Sequence, residues 1–154
     1  MPNRDTHIAI GILVAIVFIL LLSERFRREN RSQAELLGVG LGVLATCRLP
    51  DILEPASWPG HRQSFHSLAA LGGSVLLYDR PPESIRRWRE SLRAGERAFR
   101  ARRQDLPRNH PDRAGLWCLE MGCGVLAGMT AGLPLGYASH LGADLTSPGG
   151  LPLL

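Results

Sequence analysis

Apolar positions in this chain come in long blocks rather than alternating with polar ones, which is the pattern of helices and not of half-buried strands. Residues 6–22 carry no charge beyond whatever His7 holds, and Arg25, Arg27, Arg28 and Arg31 follow directly. A secretory signal peptide has its positive charges before the apolar core. Here the order is reversed, so the block reads as a membrane anchor or spanning helix, with a buried core helix as the alternative. A second block, residues 34–47, carries Gly38, Gly40 and Gly42, small residues that let helix backbones approach closely. A third, residues 67–78, contains Gly72 and Gly73 and stops at Asp79, Arg80, Pro81 and Pro82. These two blocks are short, covering about 18–21 Å as helix against a bilayer core of about 30 Å. The fourth block runs over residues 114–133, with Asp112 placed to cap its start and Glu120 as its one charge. Pro134 is expected to kink or break that helix before residues 135–145 carry on.

Between the third and fourth blocks, residues 83–103 form a charged helix with Ile85, Trp88, Leu92 and Phe99 at helical spacing. Such a stripe among arginines suits a helix lying on a membrane surface. It suits equally a solvated helix packed on the rest of the fold. Nucleic-acid binding is the least favoured of the three readings, because aromatic interleaving is sparse. The pattern as a whole predicts an all-α fold: a polytopic helical membrane protein with four apolar helices and one charged amphipathic helix. With 154 residues and no internal repeat, the chain makes one helical membrane domain, 1–154, with an Arg-rich insert at 80–113.

Charge adds an orientation. All 18 basic residues are arginine. If each apolar block crosses, one side holds Arg25, Arg27, Arg28, Arg31 and every arginine of the insert, and the other holds only Arg4, Arg48 and Arg62. That positive-inside bias assigns the insert to the cytoplasm. Cys47, Cys118 and Cys123 lie inside apolar blocks without a C-x-x-C pair, so they read as buried small hydrophobes and not as a zinc knuckle.

The same topology gathers the chemistry at the opposite, extracytoplasmic face: His7, Asp51, Glu54, His61, His66, His140 and Asp144. None of these residues was needed to choose it. The loop at 51–66, D-I-L-E-P-A-S-W-P-G-H-R-Q-S-F-H, holds two of the five histidines and two carboxylates. His140 and Asp144, four apart, share one helix face. His61 and His66 diverge on a helix but converge if His61 sits in the loop and His66 in the first turn of the third helix. Imidazole with carboxylate suits a divalent transition metal, zinc first, with iron and manganese as the other candidates. Each element also has a structural reading on its own: a hydrogen-bonded histidine, a helix cap at Asp51, a turn former at Asp144. Their coincidence is what points to metal.

L-P-D at 49–51, H-R-Q-S-F-H-S at 61–67 and G-Y-A-S-H-L-G-A-D-L-T-S-P-G-G at 136–150 resemble the YdjM-type family of membrane-bound, predicted metal-dependent hydrolases. The early T-H-I-A-I-G with His7 is similar too. The resemblance spans the chain apart from the insert at 80–113. It implies a helical inner-membrane protein whose His and Asp residues bind metal, with distant similarity to zinc-dependent phospholipase C. Many members carry P-D-x-D, where this chain has Leu53 at the second Asp and Glu54 one place later. On this reading His7, Asp51, His61, His66, His140 and Asp144 hold one or two ions that activate water against an ester or phosphoester. Glu54 takes the proton or serves as a further ligand, and Arg62 neutralises a phosphate oxygen. A site at the membrane face makes a lipid headgroup the natural substrate. The rival expectations are a non-enzymatic membrane protein with a structural metal in the same residues, and a soluble helical bundle with a basic nucleic-acid face.

Overall fold

A computed structural model describes residues 4–29, 31–47, 49–53 and 67–145, for some of which, His7 and Asp51 included, it describes the backbone alone. Six helices and no strand occupy the described residues: α1 (Arg4–Arg28), α2 (Gln33–Thr46), α3 (Leu49–Leu53), α4 (Leu68–Asp79), α5 (Glu83–Asp105) and α6 (Asp112–Leu145). The all-α expectation is met. Among the described residues, α6 alone is long and apolar enough to cross a membrane, while α2 and α4 are shorter apolar helices.

Helix α6, 34 residues and therefore about 51 Å, is the rod on which the others pack. Gly124, Gly128, Gly132 and Gly136 fall four apart on one face of it, opposite Gly38 and Gly42 of α2. A Cβ on Gly132 would stand 2.9 Å from the Gly42 Cα, and one on Gly136 would stand 2.7 Å from the Val43 Cα. The two backbones are thus in direct contact, which only glycine permits. Partner numbers rise together along both helices, so α2 and α6 run parallel. Helix α1 returns antiparallel to α2, with Ile19 against Gly40, and Ala15, Phe26, Val39, Val43 and Leu135 close a small core between the three.

Of the kink or break expected at Pro134, the break does not occur: the helix continues from Asp112 to Leu145. Proline removes one backbone donor, and neighbouring helices can compensate the disturbed carbonyls. Beside the proline, the Thr46 hydroxyl of α2 lies 2.7 Å from the Leu133 carbonyl and 2.9 Å from that of Gly42, which ties α2 to α6 at this level.

Helix α5 folds back along the first half of α6. Gly95 faces Cys123, and Gly124 faces Glu96. Because α5 is antiparallel to α6 over this length, it does not lie across the bundle as a surface helix would; the packed alternative describes it. Trp88, expected in the apolar stripe, is 52% exposed. The face that docks is polar instead. Glu120 of α6 receives Arg100 Nε at 2.9 Å and Arg103 Nε at 2.8 Å. Arg100 also pairs with Glu96 at 2.7 Å. Arg93 clasps Glu35 of α2 through Nε, 3.1 and 3.2 Å from its two oxygens, and through Nη2. The turn after α5 is fixed by Arg113, whose Nη1 donates to the carbonyls of Arg103 and Leu106, both at 2.6 Å.

The molecule therefore has two zones along α6. One is apolar, formed by α1, α2, α4 and the second half of α6. The other is charged, formed by α5 and the first half of α6. The stretch of α6 that pairs with α2 begins near Gly124.

Candidate metal centre

His140 and Asp144 sit in the last turns of α6, each 1% exposed. The four-residue spacing stacks them on one face, and the imidazole Nε2 lies 3.5 Å from Asp144 Oδ2. The other ring nitrogen, Nδ1, is 2.8 Å from the Cys47 carbonyl. A carbonyl only accepts, so Nδ1 carries the hydrogen and donates it. In the neutral ring this leaves the Nε2 lone pair beside a carboxylate oxygen. A positive species would favour this arrangement: a proton on Nε2, giving an imidazolium–carboxylate pair, or a metal cation. Imidazoles that bind metal commonly donate the opposite N–H to a backbone carbonyl or carboxylate, which fixes tautomer and ring plane.

Cys47 is placed for this by the end of α2. It is the C-cap residue, its own N–H bonding to the Val43 carbonyl, and the last carbonyls of a helix have no intrahelical partner. They also carry the negative end of the helix dipole, which favours a cation nearby. The Cys47 thiol turns away and donates to the Leu44 carbonyl at 3.3 Å. Parallel packing of α2 on α6 brings this carbonyl level with His140. The glycine stripes and the buried histidine are thus parts of one arrangement.

Two donors make half of a tetrahedral set. Among the described residues no group of three or more His, Cys, Asp or Glu side chains comes together. The donor pair fits a divalent transition metal by ligand type and by the tether on Nδ1. Of the other predicted site residues, Glu54, His61, Arg62 and His66 lie outside the described residues, as do the side chains of His7 and Asp51. The backbones of those two are in α1 and α3. Ile19 is level with Gly40, so continuing α1 backwards at about 1.5 Å per residue brings His7 to the end of the bundle that holds Cys47 and His140. Asp51 follows Cys47 by one short turn of chain.

The Cys47 carbonyl went unread in the sequence, since a backbone group has no side-chain signature. The signal that was available is the end of an apolar helix one turn before Pro50, where unpaired carbonyls must point somewhere. Glu120, the one charge of the fourth apolar block, is a structural anchor for Arg100 and Arg103. The chain matches no family model, no curated protein and no solved structure.

Proposed function

We propose that this chain is a polytopic helical membrane protein carrying a metal-dependent hydrolase site at its extracytoplasmic face. The observation that carries the proposal is the buried His140–Asp144 pair, with Nδ1 tethered to Cys47 and Nε2 turned toward the carboxylate. His140 and Asp144 supply two ligands, and His7, Asp51, His61 and His66 are proposed for the rest. A divalent ion held there, zinc first, supplies Lewis-acid activation of water for cleavage of an ester or phosphoester. The chain's own part is to fix the imidazole by the α2 terminus, to exclude solvent from the pair, to take up a proton at Glu54 and to offset phosphate charge with Arg62. The resemblance to the YdjM-type hydrolases supports the reaction class. A lipid headgroup is the proposed substrate.

The membrane half rests on surface chemistry. On α1, Leu13, Leu20 and Leu21 are 60%, 65% and 67% exposed; Leu44 of α2, Leu76 of α4 and Leu133 of α6 continue the apolar surface around the bundle. Soluble monomers rarely expose contiguous apolar surface on this scale. The arginines of 25–31 and of the insert lie at the charged end, which the proposal assigns to the cytoplasm of a bacterial inner membrane.

Two measurements test this reading. Elemental analysis of the detergent-purified protein is expected to find about one or two transition-metal ions per chain, with content reduced in His140→Ala and in His66→Ala. Full retention in both variants sinks the site, since an imidazolium pair needs no metal. Reporter tags after Arg103 and after Leu154 are expected on opposite sides, the first in the cytoplasm. Tags on the same side overturn the four-crossing topology.

A further inference from the structure

At the charged end of the apolar zone, one arginine is set apart from the rest. Arg31, Arg93, Arg100 and Arg103 each meet a glutamate. Arg89, on the same face of α5 as Arg93, has one hydrogen bond among the described residues, from Nε to the Thr130 hydroxyl at 2.6 Å. Its Nη2 is buried and without a hydrogen-bond partner among the described residues. Leaving a guanidinium nitrogen buried and unmatched is costly, and a bound acceptor, of which an anion is the strongest, would satisfy it. Thr130 does not supply one: its hydroxyl is neutral and in turn donates to the Ala127 carbonyl.

Arg89 lines a cavity of about 180 Å³ together with Arg31, Tyr78 and Asp79. Burial is the main cause that pulls its pKa below the ordinary guanidinium value, followed by the neighbouring Arg93, with Glu35 acting in the opposite sense. The guanidinium remains charged at neutral pH. A larger groove of about 640 Å³ runs along α4 from Leu77 back to Ala70 and on to Leu49, walled also by Trp88 and Leu133 and sharing Thr130 with the Arg89 contact. A cationic pocket and an apolar groove therefore adjoin across one residue. A phosphate alone would use only the first, and an uncharged hydrocarbon only the second. An amphiphile with an anionic head uses both.

We propose that Arg89 and this groove bind one anionic phospholipid, the phosphate held at Arg89 and an acyl chain lying against Leu77, Trp88 and Leu133. Arg89 is level with Thr130, ten residues before His140 on α6, so the phosphate position is a holding site and not the reaction centre, while the groove runs from there toward Thr46 and Leu49. It rests on the membrane half of the proposed function and is independent of the metal.

Native mass spectrometry of the detergent-purified protein, titrated with dioleoyl phosphatidylglycerol, dioleoyl phosphatidylcholine or inorganic phosphate, tests it. The anionic lipid is expected to bind about tenfold or more tighter than the zwitterionic one, and Arg89→Gln is expected to remove that preference, as loss of a charge-assisted hydrogen bond does. Arg108→Gln, at an exposed arginine in the turn before α6, is expected to change nothing. Trp88→Ala keeps the cationic pocket and is expected to weaken the lipid while leaving inorganic phosphate binding as it was. Equal binding of the two lipids, or an unchanged preference in a folded Arg89→Gln, overturns the proposal. Inorganic phosphate binding as tightly as the anionic lipid, with no effect of Trp88→Ala, shows a free-anion site and overturns it too. Should Arg89→Gln unfold, the Trp88→Ala arm decides alone. Metal content is measured on the same samples and is expected to be unchanged in every variant, so failure here is separable from failure at His140.

Discussion

Gly128→Leu is expected to lose the folded state, or at least about 4 kcal/mol of it, which is beyond ordinary overpacking. A Cβ at this position would meet the backbone of α2 at Glu35, with the Val39 nitrogen also only 2.8 Å away. Flexible side chains can move aside, but a helix backbone cannot do so without separating the pair. Because α2 delivers the Cys47 carbonyl to His140, parting the two helices also loosens the imidazole. Thermal unfolding in detergent followed by circular dichroism measures the first effect, and metal content the second. Gly122→Ala is the control. Nothing lies within 4 Å of its Cβ position, so it is expected to be neutral or to stabilise by up to about 1 kcal/mol through helix propensity. Similar losses in both variants would mean that the α2–α6 contact does not carry the fold.

Glu35→Ala is expected to cost about 3–5 kcal/mol, the range for removing one partner of a buried ion pair. Glu35 is 3% exposed and accepts from Arg93, with Arg31 Nη1 3.6 Å away. Without the carboxylate, Arg31 and Arg93 are left close together with Arg89, and each guanidinium is repelled by the others. Arg93→Ala in the same background is expected to return part of the loss. Denaturant or thermal unfolding of the two single variants and the double variant reads this directly. A loss in Glu35→Ala below about 1 kcal/mol would place the pair with ordinary surface salt bridges. Its position between α2 and α5 makes it the fastener of the charged zone to the apolar one.

Much of this architecture was legible from residue pattern. The expected blocks 34–47, 67–78 and 83–103 correspond to α2, α4 and α5 within two residues at each end, because prolines, serine caps and charge changes mark where an apolar run must stop. Ser32 and Ser67 accept from Glu35 N and Ala70 N at 3.0 and 3.1 Å. Helix α1 runs further than its apolar core at 6–22, reaching Arg28, since arginine and glutamate are good helix formers and hydropathy is blind to that. The short α3 at Leu49–Leu53 was read as the start of a loop; a proline near a helix start costs nothing, and this one is buried. The glycine stripe of α6 is visible in the sequence at 124, 128, 132 and 136. It acquires meaning only with a partner, and the partner is far away in the chain. For the site, the spacing of His140 and Asp144 gave their shared face, but their burial and the Cys47 tether depend on that same distant packing.

The separation has a kinetic consequence. Cys47 and His140 are 93 residues apart, and at a synthesis rate of about 5–20 residues per second the second is made roughly 5–19 seconds after the first. Through that interval α2 has α1 to pack on, but its glycine face has no counterpart. Contacts of such long range form late and slow the overall rate. The association expected to form last is thus the one that sets the histidine, so tight metal uptake at the proposed site would report a chain that has finished folding.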